Sequence, residues 1–216
     1  MENVEDLEMI ANENITIAKN EKVIYNDSKM VFKQALKRAE ARENLVKSEI
    51  ELAKLKERLS EKSKKMIERK EKIKDILNFS GNHLRIETDY AIYNENIAEA
   101  QKEIAKVQKN IAIMEKQIAE EELKILNEKF DVSKERELLG KKQLNYVRLM
   151  KISAPNGKLT KAEEEYLNQQ KKLNEAIKDV YKKSVEIMKT EDKLADLKKE
   201  LSFKLVEREK IRPPSP

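Results

Sequence analysis

The chain has 216 residues and a formal net charge of +5; 40% of its residues are charged and 5% aromatic, with three glycines, four prolines and neither tryptophan nor cysteine. This composition excludes a thick globular core, and the missing cysteine excludes disulfides, thiolate metal sites and cysteine nucleophiles. It permits narrow apolar seams bordered by charge, which is what coiled coils require.

Charge is unevenly placed. Residues 1–27 hold Lys19 and Lys22 against seven acids, whereas residues 28–77 hold sixteen Lys/Arg against nine Asp/Glu. Such a division can steer assembly or meet an anionic surface. The N-terminus has neither a basic nor an apolar leader region, so no signal peptide is expected. No apolar run approaches the ~20 residues of a membrane span.

The first predicted helix runs from about 5 to about 77. Its main column, at a seven-residue step, is Val4, Ala11, Ala18, Tyr25, Phe32, Ala39, Val46 and Ala53. A second column mixes Ile15, Leu36 and Ile50 with Lys22, Lys29 and Glu43. The seam is then expected to shift to Leu45, Leu52, Leu59, Met66 and Ile73, rotating the buried face. Asn26-Asp27-Ser28 has capping chemistry, but the main column continues through it, so the helix is read as unbroken there. Residues 60–72 carry only two large apolar side chains and read as a solvated stretch of helix. Their lysines and arginines, with Lys74, are also candidates for an anionic contact: Lys62, Lys64, Lys65, Arg69, Lys70, Lys72 and Lys74.

A first turn is expected at residues 78–83, with Gly81 in the left-handed conformation that ends a helix and His83 as an ordinary polar loop residue. The second helix follows, from about 84 to about 152. Its column is the most regular in the chain: Tyr90, Ile97, Ile104, Ile111, Ile118, Ile125, Val132, Leu139 and Tyr146. Tyr93, Ala100, Val107 and Met114 form a second column that then fails. An alanine column, Ala91, Ala98, Ala105, Ala112 and Ala119, runs at the same step; alanine favours helix and allows close backbone approach. Over residues 90–119 the apolar face is wider than one partner helix covers.

Pro155-Asn156-Gly157 marks the second turn. Thr160 and Glu163 read as a capping box opening the third helix, from about 161 to about 211. The stretch mimics half of a calcium loop, but Ile152 and Ala154 stand where two ligands are needed, so it reads as a cap alone. The third column is Tyr166, Leu173, Val180, Ile187, Leu194 and Leu201, with Ile177 and Leu205 alongside. Prolines end the helix, leaving 213–216 as a Pro-rich tail.

The expected fold is all-α: a single elongated domain over residues 1–212, an antiparallel three-helix coiled coil or bundle with two short turns. At about 1.5 Å per residue the helices would be about 110, 100 and 75 Å long. The third would end opposite roughly residue 102 of the second and 59 of the first. The hairpin around the first turn would then project, with part of the broad apolar face uncovered. Tyr90, Tyr93, Ile97, Ile104, Ile111, Met114 and Ile118 are therefore the candidate self-association residues.

The functional expectation is a non-enzymatic structural or scaffold protein, acting by coiled-coil self-association or by binding another helical protein. Cellular scaffolds, cytoskeletal-type assemblies and virion components all satisfy this pattern, and the location implied is intracellular or within a virion. Asp and Glu alternate with Lys as on solvated helix faces, and no phosphate loop, His-Glu metal motif or Gly-x-Ser-x-Gly elbow occurs. No activity, cofactor or metal is therefore expected. Nucleic acid is not an expected partner, because the basic stretches lack interleaved aromatics. As an alternative, three long antiparallel helices resemble BAR domains in helix number and length; that resemblance implies a dimer pressing basic faces onto anionic membrane.

Overall fold

Sustained seven-residue apolar columns, with glycine and proline confined to a few positions, leave the backbone little choice but long helices. The computed structural model describes residues 4–73 and 81–214, and of residues 81 and 82 the backbone alone. Among the described residues there are three long helices and no strand: α1 (Val4–Lys72), α2 (Gly81–Lys151) and α3 (Asn156–Glu209). The all-α three-helix expectation holds, and α1 passes unbroken through Asn26-Asp27-Ser28. Contacts divide the chain into two compact units. Unit 1 is Met1–Leu36 with Ile118–Thr190; unit 2 is Lys37–Gln117 with Glu191–Pro216.

In unit 1, α1 and α2 run antiparallel. Lys151 pairs with Glu8, and fourteen residues further along α1 Lys22 pairs with Glu137, fourteen residues back along α2. Arg136 Nη1 meets Glu21 Oε1 at 2.8 Å in the same register. The seam between them is built from small residues. Ala11 and Ala18 are fully buried on α1, and Leu126, Ser133, Gly140 and Val147 form a buried seven-step column on α2. A Cβ at Gly140 would lie 2.7 Å from the Ala11 carbonyl oxygen and 2.7 Å from Ile15 Cγ1. That spacing is below van der Waals contact, so glycine is required for the approach. α3 joins through Tyr146 and Tyr166, whose rings stack with centroids 6.3 Å apart and planes within 5°. Buried Gln169 on α3 donates to the Glu135 backbone carbonyl at 3.2 Å and also to its carboxylate, which satisfies the amide inside the seam.

In unit 2 the same antiparallel stride recurs. Glu57 accepts from Lys102 at 2.7 Å, and seven residues on Lys64 pairs with Glu95, seven residues back. Ala39, Val46, Ala53, Ser60 and Ile67 form one buried α1 column. On α2, Leu84, Ala91, Ala98, Ala105 and Ala112 form another. Glu115 ties the helices together, accepting from Arg42 of α1 at 2.7 Å and lying 3.3 Å from Lys198 of α3. The end of α3, at Lys204, Glu207 and Arg208, and Ile211 just beyond it lie beside Asn96, Glu99, Ala100 and Glu103 of α2. That is close to where counting along straight helices places it.

Three local expectations are corrected, and one helix end is closed in a way the sequence does not announce. The α1 seam does not shift: its column continues through Ser60 and Ile67, both buried, while Leu45, Leu52, Leu59 and Met66 stay 53–65% exposed. Serine and isoleucine both fit the narrow seam, so the column survives a residue that reads as polar. Gly81 and His83 lie in the first turn of α2 with no left-handed glycine, and His83 Nε2 sits 3.3 Å from Glu87 Oε1. The rest of the expected first turn falls outside the described residues. α3 begins at Asn156, not at 161. The Pro155 carbonyl accepts its first bonds, from Lys158 at 2.9 Å and Leu159 at 3.3 Å, and Thr160 is a helix-interior residue whose hydroxyl donates to the Asn156 carbonyl. Finally, α2 is closed by Ser153 in the left-handed region (φ 49°). Ser153 N–H donates to Met150 O and Ala154 N–H to Leu149 O, each at 3.0 Å, the bonding pattern usually given to glycine.

Three outcomes follow for unit 1. Gly140→Ala is expected to lower the melting temperature, because a clash with a backbone carbonyl costs about 1–3 kcal/mol and exceeds the helix-propensity gain. Gly157→Ala, with nothing within 4 Å of the new methyl, should leave stability unchanged or raise it. Glu137 accepts hydrogen bonds from Lys141 and Lys22, which lower its pKa from 4.5 to about 2. A carboxylate depressed in the folded state stabilises above its unfolded pKa and loses that contribution as pH falls through the folded one. Thermal melts between pH 4.5 and pH 2 should therefore show falling stability, with a shallower slope in Glu137→Gln.

Candidate association surface

The heptad that builds the seam also decides what is left outside it. On α1 the buried column is Ala11, Ala18, Ala39, Val46, Ala53, Ser60 and Ile67, with Tyr25 and Phe32 half-buried. One residue before each of these stands a second column: Ile10, Ile17, Ile24 and Val31 in unit 1, and Leu45, Leu52, Leu59 and Met66 in unit 2, continued by Ile73. All nine are exposed. Arg38 is the one charged member. An offset of one residue turns a side chain by about 100° on a helix, so this column lies on the shoulder of the seam and not opposite it. Four charged residues at the intervening seam positions are paired within the chain. Lys22 pairs with Glu137, Glu57 with Lys102 and Lys64 with Glu95. Glu43 pairs with Lys47 at 2.8 Å, and that hydrogen bond outweighs the opposing effect of desolvation and keeps its carboxyl below the ordinary range.

In unit 2 the exposed shoulder opens into a groove beyond the end of α3. Met66 and Ile67 of α1 line it with Ile86, Tyr90, Ala91 and Asn94 of α2. Ile86 and Tyr90 are exposed apolar residues on the α2 side.

The seven candidate self-association residues separate by depth. Ile104, Ile111 and Ile118 are buried within the chain, Ile111 completely. Tyr93, Ile97 and Met114 are half-buried, and Met114 lines a groove with Leu197 of α3. Tyr90 remains exposed in the open groove. The basic candidates also separate. Lys64 and Lys70 reach across the seam to Glu95 and Glu87, the latter at 2.8 Å. Lys62, Lys65, Arg69 and Lys72 are exposed, at alternating steps of three and four that place them on one side of α1. Lys74 lies outside the described residues.

Sequence reasoning missed the exposed column in unit 1. Stepping back by sevens from Leu45 would have found it beyond Arg38. It also read Ile177 and Leu205 as flanking the α3 seam, where both are exposed. Among the described residues no group of three or more His, Asp or Glu side chains is placed to hold a metal, and no helix is long and apolar enough to cross a membrane. No protein-family model matches the chain, and no curated protein matches it in sequence.

Burial gives a direct discrimination. Ile111→Asp should cost on the order of 3 kcal/mol or more, since it places an unpaired charge in a sealed seam. Leu59→Asp should stay within about 0.5 kcal/mol in chemical denaturation, since its side chain already faces solvent.

Proposed function

We propose that the chain is a non-enzymatic structural or scaffold protein that works by coiled-coil association, with itself or with another helical protein. One observation carries this reading: α1 keeps a second apolar column at seven-residue spacing on the outside of its own seam. Isolated exposed leucines are ordinary, but a row repeating every seven residues matches the knobs of a helix lying lengthwise on another. The heptad spacing therefore supports a helix, in preference to a small ligand, as the occupant.

A second reading has its own observation. Lys62, Lys65, Arg69 and Lys72 share one side of α1 next to Leu59 and Met66, an apolar strip bordered by cations of the kind that meets anionic lipid.

Sedimentation velocity across a concentration series tests the first reading. The parent chain should associate, and Leu52→Asp with Leu59→Asp should weaken that association at least about tenfold with helicity unchanged. A parent chain that stays monomeric throughout, alone and with candidate helical partners, would remove the scaffold reading. Co-sedimentation with phosphatidylserine vesicles at low salt tests the second. Absence of binding there would remove it.

A further inference from the structure

Beside the exposed apolar column of α1 runs an outer column, also at seven-residue steps: Asp6, Glu13, Asn20, Asp27, Gln34, Ala41, Ser48, Leu55, Lys62 and Arg69. Every member is exposed. Its charges are sorted. Three acids fall in the first four positions, four uncharged residues follow, and two cations close it. Four of its charges, Glu13, Asp27, Lys62 and Arg69, have no salt-bridge partner among the described residues. By contrast Glu8, Glu21, Lys22, Arg42, Glu57 and Lys64 of α1 are paired to α2. The charges that border the exposed apolar column on its outer side are exposed and sorted by sign along the helix.

We infer that the acidic apolar face of α1 in unit 1 docks on the basic apolar face of α1 in unit 2 of a second copy. This rests on the scaffold reading and supplies its partner. Three features point to it. The two faces share one heptad position, so their apolar rows mesh at the same spacing. Their borders carry opposite charge, which favours this pairing and disfavours like-with-like. One helix cannot lie against itself, so the complement has to come from another molecule. Two reciprocal contacts would close a dimer, and unreciprocated ones would propagate a chain of molecules. Both outcomes use the same pair of faces.

The test is a charge exchange. Glu13→Lys with Asp27→Lys gives a chain with two basic faces, and Lys62→Glu with Arg69→Glu gives one with two acidic faces. All four positions are exposed, so circular dichroism should show parental helicity. If either variant melts early, the neutral pairs Glu13→Gln with Asp27→Asn and Lys62→Gln with Arg69→Gln carry the same test. In sedimentation velocity at low salt each variant alone should self-associate at least about tenfold more weakly than the parent. An equimolar mixture of the two reversed chains should recover association. For the neutral pairs, association should weaken and lose its salt dependence. Reversed variants that assemble as tightly as the parent, a mixture that fails to assemble, or neutral pairs with parental affinity would overturn this pairing while leaving the scaffold reading in place. A monomeric parent would remove both. If Lys62→Glu with Arg69→Glu loses binding to phosphatidylserine vesicles but keeps full assembly, the basic face belongs to lipid, and the pairing is again overturned.

Discussion

The close approach of α1 to α2 is the constraint on which the rest depends. Alanine, serine and glycine at many of the seven-step seam positions bring the two backbones together, and at Gly140 the space left is too small for a methyl group. Once that distance is set, the shoulder positions of α1 cannot also be buried by α2. They are either covered by α3 or left to solvent. The exposed column of leucines and isoleucines is thus a direct result of the alanine-based seam, and it cannot be absorbed without widening it.

Most of the fold was legible because helical periodicity is a local property. Three helices, their order, the continuity of α1 past Asn26 and the end of α3 near Glu99 all follow from counting. The helix ends were less legible. Ser153 adopts a conformation associated with glycine, and Pro155-Asn156-Gly157 serves as the start of a helix instead of a separate turn. Both outcomes depend on backbone bonds that residue identity does not announce.

The surface was legible only in part, for a specific reason. Large apolar residues carry the stronger pattern in the sequence, so Leu45, Leu52 and Leu59 read as taking over the seam from Ala53. In the structure Ser60 and Ile67 continue it. On α1 the buried column is thus the one with the smaller side chains, and the bulkier column lies outside it. On α2 both columns are used: the isoleucines are buried at Ile104, Ile111 and Ile118, and the alanine column beside them at every member from Ala91 to Ala119.

The run of alanines at Ala91, Ala98, Ala105 and Ala112 raises a problem of its own: it is a degenerate ruler. Sliding α2 by one heptad in unit 2 would set alanine against much the same neighbours, and apolar contact alone would barely distinguish the two alignments. The alternating charges at the seam edge break the tie. Displacement in one direction places Glu57 against Glu95, and in the other it places Lys64 against Lys102. In the alignment adopted, Glu57 meets Lys102 and Lys64 meets Glu95. Partly exposed ion pairs add little stability, yet a slip in either direction breaks both pairs and opposes two like charges. Glu57 and Lys64, set among the seam positions, thus favour one alignment of the two helices.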